Sequence, residues 1–157
     1  MKRSHLFALA LGALILSLLL CSLVITLSND QELAAFSKPL FSCALPPKTA
    51  KVVEVAYRIG GITTMNYKAY LLVRSDLTET ELQQYYQANV FSLAEIKRKS
   101  NLSHNVIENR NGIVRSVLED MDSALVKNLY DDNTEYRSYY MVGMHFQKKG
   151  SLFDLRN

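Results

Sequence analysis

Nucleophilic or metal chemistry in this chain would draw on two cysteines, three histidines and the carboxylates. Cys43 beside His104 or His145 could make a nucleophile–base pair, in which the imidazole takes the thiol proton. The same three side chains could offer thiolate and imidazole ligands to zinc, but a zinc site needs three or four ligands at suitable spacing. Here they are spread over about a hundred residues, and Cys43 stands in a segment rich in proline, so neither arrangement is expected. Two acidic runs, Glu119-Asp120-Met121-Asp122 and Asp131-Asp132-Asn133-Thr134-Glu135, invite a calcium reading. The second alternates oxygen ligands as a calcium loop does, yet Tyr136 stands where the loop needs a glycine for its sharp turn. Helix capping and an ordinary turn account for both runs.

The motifs of hydrolases, phosphate loops and metalloproteases are missing: there is no Gly-x-Ser-x-Gly, no glycine-rich phosphate loop, no His-Glu-x-x-His and no Cys-x-x-Cys. The sequence therefore offers no catalytic, cofactor or metal residue. Nine tyrosines and no tryptophan are a marked bias. Tyr85-Tyr86 and Tyr139-Tyr140 each place one ring inward and one outward; outward tyrosines suit recognition surfaces, but a core role is the leading expectation because tyrosine is also a good strand residue. Asn101-Leu102-Ser103 is a glycosylation sequon, relevant only in a eukaryotic secretory pathway.

The elements that would position these residues begin with an anchor. Residues 6–27 hold no charge and include ten leucines. About 20 helical residues cross a bilayer core of roughly 30 Å, so this block is long enough to span. A cleaved signal peptide is the competing reading, but its apolar region runs only about 7–15 residues. Lys2 and Arg3 precede the block, and Asp30 and Glu32 are the first charges after it. The positive-inside bias then keeps residues 1–5 cytoplasmic and exports the rest. Cys21 lies within the apolar run, which leaves Cys43 as the one exported thiol. An unpaired exported thiol is either free or linked to a second chain, so a Cys43-linked dimer is one partner arrangement.

Residues 28–50 contain all three prolines (Pro39, Pro46 and Pro47) and are expected to form a stalk. Residues 51–157 are expected to form the exported domain. Val53, Val55, Tyr57 and Ile59 alternate with Glu54, Ala56 and Arg58, the period of a half-buried strand. Gly60-Gly61 ends it, and the apolar run from Tyr67 to Val73 is expected to pair with it through a loose connection of roughly six residues. Thr78-Glu79-Thr80-Glu81 is a capping box, flanked by Leu77 and Leu82 as a hydrophobic staple, and starts a helix over 79–90. Ser92 and Glu95 fit the cap of a short second helix. Val106, Ile113, Val114 and Val117 fit strands around an Asn111-Gly112 turn. Met121, Leu125, Val126 and Leu129 recur at helical spacing, and Tyr140, Val142, Met144 and Phe146 alternate as a last strand. The expected fold is α+β, with two or three helices on a mostly antiparallel sheet.

From Lys38 onward sixteen basic and thirteen acidic residues are mixed, with small clusters at Lys97-Arg98-Lys99 and Lys148-Lys149. Nucleic-acid surfaces carry a basic stripe interleaved with aromatics, so no nucleic-acid partner is expected. The blocks Cys43 to Thr49, Leu71 to Thr78, Glu81-Leu82 with Tyr85-Tyr86, and Phe153-Asp154-Leu155-Arg156 together resemble small membrane-anchored or exported proteins of Gram-positive bacteria. That resemblance implies an envelope location and brings no activity and no site residue with it. The expectation is a non-enzymatic module that meets the bilayer through residues 6–27 and binds an envelope protein or wall component. The alternative is an envelope hydrolase with a carboxylate or cysteine site.

Overall fold

The computed structural model describes residues 2–61, 63–97, 102–108, 139–151 and 153–154. Helix α1 spans Lys2–Phe41, 40 residues without a break. At 1.5 Å per residue it is about 60 Å long, twice the hydrocarbon thickness of a bilayer. Its two ends obey different rules. Through the first part every large side chain is outward, from Phe7 (73% exposed) to Val24. From Ser22 a buried stripe begins: Ser22, Thr26, Asn29, Phe36 and Leu40 are buried, with Leu33 packed against the core. Steps of four, three, four, three and four residues keep these positions on one helical face.

The expected stalk is therefore corrected. Residues 28–41 continue the N-terminal helix and form a wall of the domain. Pro39 lies inside the last turn, where a missing N–H removes one hydrogen bond from the ladder. The Lys38 carbonyl accepts from both the Ser42 backbone N–H (2.8 Å) and the Ser42 hydroxyl (2.7 Å), which closes the helix end. Only a short link crosses from Ser42 to β1. Within it Lys48 takes a left-handed φ of 56°, turning the chain back alongside α1.

Strands β1 (Thr49–Gly60), β2 (Thr64–Ser75), β3 (Ser103–Glu108) and β4 (Tyr139–Lys149) form one antiparallel sheet in the order β1-β2-β4-β3. The fold is α+β, as expected. The β1–β2 connection is tighter than the expected loop, because Gly60 lies against the Thr64 carbonyl. A Cβ there would come within 2.6 Å of that oxygen, so only glycine fits. One sheet face packs on α1. Tyr67, Ala69, Leu71 and Val73 of β2 stand beside Phe146, Met144, Val142 and Tyr140 of β4, all buried. The Tyr67 and Phe146 rings stack at 4.9 Å, and Phe36 reaches Phe146 at 5.2 Å.

Helix α2 (Glu79–Tyr86) starts on the expected capping box, with the Thr78 hydroxyl accepting from the Glu81 N–H and the Glu81 carboxylate accepting from the Thr78 N–H. Leu82 is fully buried and Leu77 joins the core, as a staple requires. The helix then widens into a π turn, Gln87–Phe91, which lets Val90 and Phe91 both point inward. A four-residue helix α3, Ala94–Lys97, follows. The expected strands beyond residue 108, the turn at Asn111-Gly112 and the helix built on Met121 to Leu129 lie outside the described residues.

Candidate functional site

The most connected polar group in the described residues sits where α1 leaves its apolar run. Asp154, from the chain's last described turn, lies against α1 with its side chain fully shielded. Its carboxylate accepts from Thr26 Oγ1 (3.3 Å), Asn29 Nδ2 (2.5 Å) and the Arg58 guanidinium. Arg58, on β1, also donates from Nε to Asp30 at 3.1 Å, and its side chain is only 4% exposed. Burial alone would lower the Arg58 pKa, but Asp154 and Asp30 together raise it above the ordinary value. Asn29 extends the network, since its Oδ1 accepts from Tyr67 Oη (3.1 Å) and Lys148 Nζ (2.8 Å). Lys148 in turn pairs with Glu32 and lies 5.2 Å from the Tyr67 ring centre. Strand β1 turns Arg58 toward α1 because Ala56 and Arg58, not the larger Val53, Val55, Tyr57 and Ile59, share the helix-facing side of the register.

This junction is rich in ionisable groups, its central pair shielded while Asp30, Glu32 and Lys148 stay partly exposed at its edge. Arg58 and Asp154 are closed off from solvent, so the cluster acts as a clamp between helix, sheet and C-terminal turn. A buried pair of this kind is costly to desolvate and costlier to break, because one unpaired charge would remain inside. None of its eight residues was read from the sequence as part of a cluster: Asp30, Glu32 and Lys148 figured there only as charges, and Asp154 only within a resembling block. The legible signal was the spacing of Ser22, Thr26 and Asn29 with Leu33, Phe36 and Leu40.

At the opposite end of the sheet a shallow cleft of about 440 Å³ is lined by Lys48, Thr49, Ala50, Arg74, Ser75 and Asp76. The Thr49 and Ser75 hydroxyls meet each other at 2.6 Å, and Ser75 Oγ also accepts from the Leu77 N–H. Two cations and one carboxylate border it with no adjacent imidazole or thiol. Its chemistry is that of a polar contact surface.

The sequence-derived candidates are not brought together. Cys43 lies near Tyr85 at the top of the domain and packs against the core. Burial raises its thiol pKa against a smaller lowering by Tyr85, so it stays protonated and poorly nucleophilic at neutral pH. His104 on β3 stacks against Phe91 at 4.2 Å with Nε2 3.0 Å from Gln87. His145 on β4 occupies the other sheet face, 3.1 Å from Asn66 and 3.4 Å from Ser103. Burial lowers both histidines, and the Lys68 charge adds to the lowering at His145. The outer face also carries Tyr57 and Tyr70, 6.1 Å apart between ring centres, with the Lys68 ammonium 5.7 Å from the Tyr57 ring. Among the described residues no three of His, Cys, Asp and Glu converge as metal ligands. The acidic runs at 119–122 and 131–135, and Asn101, lie outside the described residues.

No family model, curated protein or solved structure matches the chain.

Proposed function

We propose that this is a single-pass membrane protein of a bacterial envelope, with its N-terminus cytoplasmic and its α+β domain acting outside as a binding module. The observation that carries the reading is the two-part helix α1. One helix of the described residues is long and apolar enough to cross a membrane, and its run from Phe7 to Cys21 is exposed on all sides. A helix that is apolar all round needs an apolar surround, and lipid supplies one. Orientation follows from Lys2 and Arg3 before the run and Asp30 and Glu32 after it. A binding role is favoured over hydrolysis because the buried charges are engaged in holding the domain to its anchor. Cys43 and the two histidines stand apart, while the outer sheet face presents tyrosines and the distal cleft an arginine, residue types enriched at contact surfaces.

The test is cysteine labelling combined with intact mass. A Cys43→Ser, Glu79→Cys variant places one thiol on an exposed helix position of the domain. A membrane-impermeant maleimide should label it on intact cells, and the labelled chain should keep its N-terminal block. Labelling only after lysis would reverse the orientation. Loss of residues 1–27 from the mass would replace the anchor with a cleaved signal.

A further inference from the structure

The clamp at Asp154 fixes more than the anchor: it fixes how far the domain reaches toward the bilayer. Thr26 and Asn29 hold Asp154 beside the last turn of the apolar run, so neighbouring Phe153 stands at that level too. The Gly150 N–H donates to the Thr63 carbonyl at 3.1 Å, tying the C-terminal turn to the tip of the β1–β2 hairpin. Arg58 meets Asp30, and β1 runs on from there toward the membrane end. Two further strand residues, Ile59 and Gly60, extend about 7 Å. The helix descends only about 4.5 Å from Asp30 to Leu27. Even with the strand tilted, the hairpin tip reaches the level of the apolar run.

The side chains at this edge match that depth. Phe153 is 44% and Ile59 55% exposed, although both are large apolar residues on an otherwise mixed surface. Lys149, exposed and paired in register with Thr64, lies at the same end with a stem long enough to keep its ammonium among phosphates. On α1 itself Ser22 and Thr26 are buried while Ser17 and Cys21, in the same run, are exposed. Protein therefore covers one side of the helix for about a turn and a half inside the apolar segment.

We infer that the lower edge of the domain, with Ile59 and Phe153 as its apolar tips and Lys149 as its cation, sits in the headgroup–acyl boundary of the bilayer beside the anchor. The occupant is phospholipid, because the edge continues a surface that lipid already covers. The domain thus has a second, peripheral membrane contact. It would seat the sheet upright on the membrane and shorten the purely lipid-clad part of α1.

This inference rests on the anchored reading, and the experiment separates the two. The chain has no tryptophan, so Phe153→Trp and Ile59→Trp each give a single-tryptophan reporter. Leu45→Trp, on the link at the far end of the sheet, is the control. Full-length protein is reconstituted in phosphatidylcholine vesicles, with or without lipids brominated near the top of the acyl chain. The expected result is blue-shifted emission and strong loss of intensity on bromination at 153 and 59, with little change at 45. If the protein floats with the vesicles but both edge reporters emit as in water and quench no more than the control, the second contact is overturned and the anchor stands. A chain that does not float overturns both. Agreement between two reporters guards against one misfolded variant.

Discussion

The two parts of helix α1 are built from one unbroken backbone and fold for opposite reasons. In the first, leucines point in every direction, no face is special, and only the surrounding medium can stabilise the arrangement. In the second, a stripe from Thr26 to Leu40 meets the sheet while Lys38 and Gln31 face outward. The difference shows that unbroken hydrophobicity marks where this helix is exposed on every side, whereas spacing marks where it meets the sheet. At Ser22 and Thr26 the two signals overlap, and there the helix buries small polar side chains that a purely lipid-facing run would not need.

That contrast can be broken most forcefully at the clamp. Asp154→Ala leaves Arg58 buried beside one carboxylate fewer, and should destabilise the domain by about 3–5 kcal/mol, read from chemical denaturation in detergent micelles. Next comes truncation on either side of the boundary. Phe36→Ala removes a ring packed on Phe146 and should cost about 3–5 kcal/mol. Leu16→Ala, on the lipid side, should leave the melting of the domain unchanged. An equal loss from both would mean that the helix does not divide as described.

Acidification should act more gently, through the sheet rather than the helix. His104 and His145 have pKa values lowered by burial, so the folded state holds fewer protons than the unfolded one. Their contribution is fully present above the unfolded value of about 6.5 and is lost as pH falls below it. Stability should therefore drop between neutral pH and pH 5, and a His104→Gln, His145→Gln variant should flatten that dependence. The smallest effect belongs to Thr78→Ala, which removes the side-chain cap of α2 and should cost about 1 kcal/mol. A null result there would show that Leu77 and Leu82 alone fix the helix start.

Much of this fold was legible because its signals are local. The capping box at Thr78 and Glu81, the alternation in β4 and the paired β1 and β2 runs each depend on neighbours within a few residues. The continuation of α1 past residue 27 was hidden by Asp30, Glu32 and Pro39, which look like a break. Pro39 stands inside the last turn, where only two helical residues follow the hydrogen bond it removes, and the two acidic residues find Arg58 and Lys148. Those partners come from strands far along the chain, Arg58 and Asp154 being 96 residues apart. No window of sequence contains such a pair. The inward turn of Arg58 was equally hidden, since the apolar residues of β1 suggested the opposite face for the core.

The missing stalk has a consequence for reach. From Thr26 to Phe41 the helix rises only about 22 Å, and the sheet folds back alongside it instead of standing above it. A domain on a flexible leash would search a wide hemisphere, with its height above the bilayer fluctuating freely. With α1 in a membrane as proposed, the distal cleft around Lys48 and Arg74 would be held at nearly constant altitude and would turn only when the helix turns. Any ligand it engages would then have to come to that thin layer just over the lipid. Neighbouring membrane proteins would meet that condition at all times, whereas distant wall polymers would not.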